Sequence, residues 1–355
     1  MPNLCGNRAA GDVHPYSDEE RAILGTWCTV ELNAAIAKGY MVAKIYEIWH
    51  FNKKSDELFS EYIKLHLHQK QEASGYPSWC TDEDKQNKYV NDFYQKEGVL
   101  LRRHEIRLNP AKRQIAKLFL NSLWGKFGQR TNLPKTSIVR DPDELFQYLF
   151  SPNYEVLSCE FIDDETACVS WKHAKDRYSV SGNTNVFIAC FTTAYARLER
   201  YNLLDGLQER CLYHDSDSVI FVKREGAWNP PLGDYLGDLT SEIPPDQHIT
   251  AFVSAGPKTY GYKLSGGKAC MKVKGITLNV ANCEKISFDS LKDLVLDYCT
   301  GLQENPSKKI EVQQPSIVRN KNQWQIETKT LKKTQKVVYN KRVLGEGFKT
   351  LPYGF

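Results

Sequence analysis

The chain has 355 residues and a mass of 40.7 kDa, which predicts about two domain-sized units. Hydrophobic residues make up 41% and charged residues 25%, a balance typical of globular proteins, so a mainly disordered chain is excluded. The net charge is +4, no apolar run approaches the roughly 18 residues of a membrane helix, and the N-terminus lacks the pattern of a signal peptide. The sequence therefore predicts neither a secreted nor a membrane protein.

The cysteines are scattered along the chain, whereas basic residues are concentrated near its C-terminal end. The ten cysteines are scattered without a Cys-x-x-Cys pair, which is typical of free intracellular thiols. Residues 306–355 contain 11 Lys and Arg against 3 acids, a net charge of +8, and the rest of the chain sums to −4. Trp324, Tyr339 and Phe348 are interleaved with these charges. This basic segment favours contact with a polyanion, and a solvated Lys-rich surface is the alternative.

The first third of the chain is predicted to be helices and loops. A capping-box pattern at Ser17 opens a helical stretch to about Lys38. Alternation over 40–46 then predicts a strand. Three later helices are predicted from capping residues, which are Ser55, Thr81 and Asn109 followed by Pro110. The last of these helices extends to Phe127.

The rest of the chain mixes strands with a few helices. Residues 131–171 are β-like and irregular, and a long helix is predicted from about Asn185 to Leu204. Two short apolar strands, 211–213 and 219–221, flank a polar turn. The remaining predicted elements are a loop over 225–245, a hairpin over 260–274, a helix over about 288–302 and a basic, strand-rich tail.

The first candidate site is the acidic turn between the two short strands. Asp215 and Asp217 lie two residues apart in a hairpin, so their carboxylates can converge on one divalent cation. Mg²⁺ prefers hard oxygen ligands and commonly takes one or two carboxylates together with substrate phosphates. The turn therefore predicts a magnesium site, although Asp-Ser-Asp is also common in ordinary surface turns.

The second candidate site is one face of the helix that ends at Phe127. Its members are spaced 4, 4 and 3 residues apart and are Arg113, Lys117, Asn121 and Trp124. This row suits a nucleotide, because the cations match a triphosphate and the ring matches a base or sugar. Gly125 allows close backbone approach. Apolar packing is expected elsewhere on the helix, from Ile115, Leu118, Phe119 and Leu123. A solvated helix face is the alternative.

The third candidate site is the tripeptide Lys258-Thr259-Tyr260. In an extended strand, Lys258 and Tyr260 point to the same side. A cation beside an aromatic hydroxyl is a plausible contact for a nucleic-acid backbone. Taken alone, this pattern is weak.

Together, the three patterns resemble one known family. Motif B of family B DNA polymerases, Lys-x-x-x-Asn-Ser-x-Tyr-Gly, is matched by Lys117, Asn121, Ser122, Trp124 and Gly125. The acidic turn is similar to motif C, Tyr-x-Asp-Thr-Asp-Ser, and residues 258–260 are similar to the downstream Lys-x-Tyr. Further similar stretches are 25–27, 192–197, 233–237 and 351–355. The chain resembles the protein-primed branch, which is found in viruses, linear plasmids and large transposons of the Maverick–Polinton type.

The resemblance implies an α+β, right-hand polymerase with palm, fingers and thumb, in which the palm is incomplete. The implied segments are 1–105 (palm segment and an insertion typical of the protein-primed branch), 106–130 (fingers with motif B), 131–183 (a second insertion), 184–283 (palm with motif C and Lys-x-Tyr) and 284–355 (a basic thumb).

The resemblance also implies a reaction: transfer of a nucleotidyl group from a deoxynucleoside triphosphate to the primer 3′-hydroxyl of primer–template DNA, with two Mg²⁺ ions. The implied roles are catalysis and metal binding for Asp215 and Asp217, with Asp217 the main ligand, nucleotide binding for Arg113, Lys117, Asn121, Trp124 and Gly125, and DNA binding for Lys258 and Tyr260. A terminal priming protein is a further implied partner. We expect an intracellular location, nuclear if the source is a eukaryotic transposon, and no membrane partner.

The chain departs from the family pattern by two substitutions and by the absence of motif A and of the exonuclease acids. Ser216 replaces the usual Thr and keeps the hydroxyl, and Trp124 replaces Tyr and keeps the ring. Motif A, Asp-x-x-Ser-Leu-Tyr-Pro, which supplies the other metal-binding Asp, is not found between Met1 and Asn109, and neither are the exonuclease acids. We therefore expect the C-terminal part of a polymerase: an incomplete gene prediction, a fragment of a decayed element or half of a split protein.

Other classes of function stay in consideration. A non-catalytic DNA-binding remnant would keep the fold and the charge without turnover. A reverse transcriptase or RNA polymerase is disfavoured, because the Asn121-Ser122 pair is present and the two acids of the turn are separated by Ser216. Cys5 and His14 are residue types that bind zinc, but two ligands do not make a site.

Overall fold

The computed structural model describes residues 17–53, 55–179, 182–299, 309–320, 322–323, 325–339, 342–344 and 350–352. The chain divides into two compact units. The larger unit contains the described residues of 27–210 and 223–240, and the smaller unit contains those of 1–26, 211–222 and 241–355. Cys5, His14, Trp324 and Phe348 lie outside the described residues.

Helices and antiparallel sheets alternate in blocks, which defines an α+β protein. The helices are α1 (Asp18–Arg21), α2 (Thr29–Ala37), α3 (Ser60–Glu72), α4 (Glu83–Glu97), α5 (Pro110–Phe127), α6 (Pro142–Phe150), α7 (Val186–Leu207), α8 (Val280–Lys285) and α9 (Phe288–Cys299). Among the described residues, no helix is long and apolar enough to cross a bilayer.

The strands form five antiparallel groups. They are β1 (Lys135–Val139), β2 (Tyr154–Asp163), β3 (Thr166–His173), β4 (Cys211–Asp215), β5 (Ser218–Phe221), β6 (Ile249–Gly256), β7 (Thr259–Leu264), β8 (Ala269–Lys272), β9 (Ile310–Asn320), β10 (Gln325–Gln335), β11 (Arg342–Leu344) and β12 (Thr350–Pro352). The strand orders are β1-β3-β2, β4-β5, β6-β7-β8, β10-β9 and β11-β12. The predicted hairpins and the strand-rich tail are confirmed.

The capping prediction at Ser17 is confirmed, but the long helix expected after it is wrong. The Ser17 hydroxyl accepts the backbone N–H of Glu20, and the Glu20 carboxylate accepts that of Ser17. The backbone turns extended at Ala22, and helix resumes only at Thr29. Leu24, just after this first turn, is 82% exposed. The turn therefore has its cap, but no packed apolar face follows that would extend it.

The strand expected over 40–46 is also wrong. These residues form neither helix nor strand, and Met41 is 87% and Tyr46 is 71% exposed. A strand needs a neighbour to accept its backbone hydrogen bonds. No neighbouring strand pairs with this segment in the part of the chain that the structure describes, so its alternating pattern produces no ladder.

Two predicted caps are displaced from the true helix starts. Ser55 lies five residues before α3, and its hydroxyl accepts a backbone N–H two residues on, in a local turn. The cap of α4 is Asp82, one residue after Thr81, because its carboxylate reaches the backbone N–H of Lys85 at 2.9 Å. The cap of α5 is Asn109, as predicted, and the long helix predicted from about Asn185 is α7, whose cap is Asn185.

The larger unit contains two separate apolar cores. One lies around α3, α4 and the chain before α5, where Leu67, Phe93 and Leu101 are each only 3% exposed. The other lies between the β1-β3-β2 sheet and α6, around Val169 and Trp171. Helix α6 interrupts the region expected to be β-like, since Asp141 caps it and Pro142 occupies its first turn.

The smaller unit is built on the β6-β7-β8 sheet and α9. Leu291 and Leu294 of α9 are almost completely buried and lie in one core with Val253 and Ala255 of β6. The helix predicted over 288–302 is described as far as Cys299. Strands β9 and β10 form a hairpin paired over eleven residues on each side. The region 225–245 is a loop as predicted, apart from one isolated bridge.

Candidate functional site

The acidic turn is the tip of the β4-β5 hairpin, in the smaller unit. Asp215 pairs with Ser218, so Ser216 and Asp217 form a two-residue loop. Ser216 has φ +51°, a left-handed conformation that tight hairpin loops require. The Ser216 hydroxyl donates to the Asp215 carboxylate at 3.3 Å, and the Ser218 hydroxyl donates to the Asp215 carbonyl oxygen at 3.0 Å. The hairpin thus places one half-buried and one exposed carboxylate at its end.

Asp215 forms an ion pair with Lys258 in the same unit. The Lys258 ammonium lies 3.1 Å from the Asp215 carboxylate. The backbone N–H of Lys258 donates to the Tyr213 hydroxyl at 2.8 Å, and the ring of Tyr213 contacts the ring of Tyr260, with centroids 4.6 Å apart. Tyr213 therefore connects the acidic turn with both residues of the predicted DNA-contacting pair.

The expectation that strand alternation points Lys258 and Tyr260 to the same side is wrong. Lys258 does not lie in an extended strand: it occupies the turn between β6 and β7, with φ +58°. This conformation is sparsely populated by residues other than glycine. Tyr213 joins the two residues, because the Lys258 backbone N–H donates to its hydroxyl and the Tyr260 ring lies against its ring.

Tyr260 remains a neutral phenol in this setting. Burial raises the pKa of Tyr260, and the nearby Tyr213 and the carboxyls of Glu242 and Asp215 add to the rise. A protonated hydroxyl is a hydrogen-bond donor. It can therefore donate to an acceptor such as a phosphate oxygen.

Helix α5, in the larger unit, carries the predicted cationic row on an open face. The carboxamide oxygen of its cap, Asn109, accepts the backbone N–H of Lys112 at 3.0 Å, and Pro110 occupies the first turn. The row itself is solvent-exposed along its length, at Arg113, Lys117, Asn121 and Trp124. A Cβ at Gly125 would meet no atom within 4 Å, so the backbone there is open to approach. The row is available to a ligand.

The apolar packing expected of α5 is mostly not found. Ile115 is 56%, Leu118 is 62% and Phe119 is 46% exposed, and only Ala116 is buried among the residues of this helix. Helix α5 is held by contacts with α3 and α7, and the Asn185 backbone N–H before α7 donates to the Phe127 carbonyl oxygen at 3.0 Å. The ring of His66 stacks on Phe119 with centroids 4.6 Å apart, and the Tyr62 hydroxyl donates to the Phe119 carbonyl oxygen.

Sequence reasoning missed two residues that adjoin the cationic row. The Arg113 guanidinium donates from Nε to the Ser74 hydroxyl at 3.1 Å, and this hydroxyl donates to the Lys70 carbonyl oxygen. Burial lowers the pKa of Lys70, and the neighbouring charges of Arg113 and Lys117 lower it further. Lys70 is therefore a third member of the cationic cluster. No spacing rule could have found it, since it lies on a different helix.

The donor set for a cation is limited to the two carboxylates of the hairpin. Among the described residues, no group of three or more His, Cys, Asp or Glu side chains is arranged to hold a metal ion. Mg²⁺ commonly takes only one or two carboxylates and fills its remaining positions with water and phosphate oxygens. Asp215 and Asp217 therefore fit a cation that arrives with a phosphate ligand.

Of Trp324, Tyr339 and Phe348 in the basic segment, the structure describes Tyr339, which is half-buried. The Tyr339 hydroxyl donates to the Ser254 carbonyl oxygen at 2.5 Å, and its ring contacts Tyr298 edge-on. Burial raises the pKa of Tyr339 to about 12. Tyr339 thus anchors the tail to β6 and is not a free stacking surface.

Comparison with known proteins identifies the class. Residues 18–208, more than half of the chain, match the family described as DNA polymerase type B, organellar and viral. The chain belongs to this family. The match includes the whole of α5 and ends before the hairpin that carries Asp215 and Asp217.

A curated relative supports the same assignment. The chain is 28% identical over 214 residues to a protein named DNA polymerase from Kluyveromyces lactis, with 56% of this chain and 20% of the relative covered. The chain thus spans about a fifth of the length of that relative. No solved structure matches the chain.

Proposed function

We propose that this chain supplies the fingers, the motif C part of the palm and the thumb of a protein-primed DNA-directed DNA polymerase. The observation that carries the proposal is the exposed row from Arg113 to Trp124 on a helix within the region matched to the family. Cations in line with an amide and an aromatic ring suit a triphosphate, a sugar and a base. The proposed substrates are deoxynucleoside triphosphates and primer–template DNA, with a terminal protein as primer.

The proposed roles of the residues on and beside α5 concern the nucleotide. Arg113 and Lys117, with Lys70 beside them, would bind the triphosphate, because phosphoryl-type transfer depends on positioning and charge stabilisation. Asn121 and Trp124 would shape the pocket for sugar and base. Gly125 would allow the backbone to approach the nucleotide.

At the hairpin, Asp215 and Asp217 would hold Mg²⁺. When bound, a pair of such ions stabilises the charge on the attacking and leaving oxygens. The ion pair with Lys258 orients the Asp215 carboxylate, and a bound cation would replace the ammonium there. Lys258 is then released to contact a phosphate of the primer strand, next to the hydroxyl of Tyr260.

We further propose that catalysis requires a carboxylate from a motif A that this chain lacks. The sequence up to Asn109 contains no Asp-x-x-Ser-Leu-Tyr-Pro run. A second candidate function, which the net charge of +8 over 306–355 also suits, is DNA binding without turnover. The two differ in one respect: only the first gains activity when the missing segment is supplied.

Primer extension with Mg²⁺ tests the proposal. The comparison is between this chain, a version extended upstream to include motif A, and the extended version carrying Asp217→Asn. We expect DNA binding without extension from the short chain, extension from the long one, and a loss of several orders of magnitude in the variant. Robust extension by the short chain would contradict the need for motif A, and full activity of the variant would contradict the role of Asp217.

A further inference from the structure

Glu72, the last residue of α3, is a completely buried carboxylate. Its side chain is 0% exposed. The carboxylate accepts hydrogen bonds from the Arg102 backbone N–H at 2.8 Å and from the Arg102 guanidinium at 3.2 Å and 3.0 Å. His68 Nε2 lies 2.9 Å away. An isolated charge at such a place would be strongly unfavourable, so these partners are what make the ionised carboxylate tolerable.

Glu72 is held ionised by these partners. Burial alone would raise its pKa, but the hydrogen bonds from Arg102 and the proximity of His68 keep the pKa of Glu72 below its ordinary value. Only the Glu72 side of this ion pair is buried, since the Arg102 side chain is 52% exposed, and such a pair is weak support for stability. What such a pair does provide is a defined arrangement of the groups it joins.

The end of α3 is bonded to the chain that leads into α5. The Glu72 carbonyl oxygen accepts the Arg107 backbone N–H at 3.0 Å, and the Ala73 carbonyl oxygen accepts that of Asn109 at 2.9 Å. At Gly75, where φ is +74°, a Cβ would lie 3.3 Å from the backbone nitrogen of Leu108. Residues 102–109 therefore run closely along the end of α3.

This contact sets where α5 begins and where its first cation lies. Asn109 is both the last residue of the bonded segment and the cap of α5. One turn into the helix, Arg113 donates to the Ser74 hydroxyl, two residues after Glu72. The Glu72 side chain thus holds the start of residues 102–109 at Arg102, and the end of this segment at Asn109 sets the position of Arg113.

We propose that Glu72 is a positioning residue for nucleotide binding: through Arg102 it fixes residues 102–109 against α3, and so aims the charges of Arg113 and Lys117 at the triphosphate. The proposal rests on the nucleotide-binding role of α5 given above. It assigns to Glu72 no contact with the nucleotide itself. The ion pair would be retained because it specifies a register, which an apolar pair would leave less well defined.

The test measures binding of deoxyguanosine triphosphate with Mg²⁺ to the 355-residue chain by equilibrium dialysis, together with thermal unfolding. Glu72→Gln keeps an acceptor for the Arg102 backbone N–H and loses the ion pair, and we expect nucleotide affinity to fall about tenfold. Arg103→Ala is the control, since Arg103 forms a neighbouring but exposed ion pair with Glu83 at 3.1 Å, and its affinity should equal that of the wild type.

The double variant Glu72→Met with Arg102→Met separates positioning from stability. We expect its unfolding temperature to recover towards the wild-type value, because no buried charge is left without a partner, while its nucleotide affinity stays low. Recovery of both quantities would show that Glu72 acts only through stability and would overturn the proposal. So would unchanged affinity in Glu72→Gln if Lys117→Ala abolishes binding. Failure of the wild type to bind nucleotide would instead overturn the proposed function and this inference with it.

Discussion

Lys258 pairs with Asp215 at the end of the β4-β5 hairpin, and its ammonium lies 3.1 Å from that carboxylate. Its backbone is held at φ +58° by a hydrogen bond to the Tyr213 hydroxyl. One lysine is therefore engaged twice by the same hairpin, once through its side chain and once through its backbone. The Mg²⁺ proposed to bind this hairpin would therefore compete with the ammonium for Asp215.

The first prediction concerns that competition. In EDTA, Lys258 stays paired with Asp215, and Lys258→Met should leave the salt dependence of DNA affinity nearly unchanged. With Mg²⁺ present, the wild type gains one phosphate contact that the variant lacks, so its slope of log affinity against log salt should be steeper by about 0.9. Fluorescence anisotropy with primer–template DNA measures both slopes.

Lys263→Met is the matched control for this experiment. Lys263 is also exposed and paired with a carboxylate, that of Asp289 at 2.8 Å, but it lies away from the turn. Lys263→Met removes the same charge from the same unit as Lys258→Met. Equal changes in the two variants, with or without Mg²⁺, would count against the exchange of partners at Asp215.

The second prediction concerns the Tyr213 hydroxyl. Tyr213→Phe leaves the Lys258 N–H without its acceptor, in a turn whose left-handed backbone is already unfavourable for lysine. We expect the free energy of unfolding to fall by about 1 kcal/mol, the typical net value of one hydrogen bond. Chemical denaturation measures it, with the exposed Tyr195→Phe as control. A loss no larger than that of the control would show that the bond contributes nothing to stability.

The third prediction concerns Lys117. Its ammonium lies in the exposed row on α5, so Lys117→Ala should weaken nucleotide use by about tenfold or more and leave DNA affinity nearly unchanged. Lys112→Ala removes an equally exposed charge from another face of α5 and serves as control. Steady-state kinetics of the upstream-extended enzyme with varied nucleotide measures the effect. Loss of DNA affinity with normal nucleotide dependence would make the row a duplex contact.

The sequence predicted local features better than packing. The cap at Asn109, the start of a helix near Asn185 and the β4-β5 hairpin depend on neighbours in the chain, and they are confirmed. The strand over 40–46 and the buried apolar side of α5 depend on partners from distant segments, and they are wrong. Periodicity reports which residues could be buried, but not whether a surface is present to cover them.

The same distinction applies to the candidate site. Asp215, Asp217, Lys117 and their neighbours were found because they match short motifs. Lys70 and Glu72 act on the row from another helix, and their partners lie about 30 to 45 residues further along the chain. Only the packing of α3 against α5 reveals them.

The fourth prediction is a pH dependence in the larger unit. Glu31 of α2 pairs with Arg197 of α7 through two hydrogen bonds, of 2.5 Å and 2.8 Å, and these bonds hold the pKa of Glu31 below its ordinary value of 4.5. A lowered folded-state pKa gives stability that is fully present above the ordinary value and is lost as the pH falls through the folded value.

Glu31→Gln tests this linkage. We expect the variant to be less stable than the wild type at pH 7, and the difference to shrink steadily below about pH 4.5, measured by urea unfolding at a series of pH values. Glu155→Gln, which breaks an exposed pair with Lys172, should show a small difference throughout. A gap between Glu31→Gln and the wild type that stays constant down to pH 3 would show that ionisation of Glu31 is not the source of the effect.

The fifth prediction concerns the basic β9-β10 hairpin as a DNA-contacting surface. Glu311 neutralises two of its lysines, lying 3.1 Å from Lys309 and 2.5 Å from Lys332. All three groups are at least one-third exposed, so the pairs are weak and can yield to phosphate. Removing the carboxylate should therefore strengthen DNA binding, because more cationic charge faces the backbone. Glu311→Gln is expected to raise the affinity for primer–template DNA at low salt and to steepen the salt slope by up to about 0.9 for each additional phosphate contact.

Deletion of 306–355 should do the reverse: it should lower the affinity for primer–template DNA and flatten the salt slope. Glu155→Gln adds the same formal charge on the larger unit and separates a local effect from a general one. If Glu155→Gln strengthened binding as much as Glu311→Gln, or if the deletion left the slope unchanged, this hairpin would not be the DNA-contacting surface.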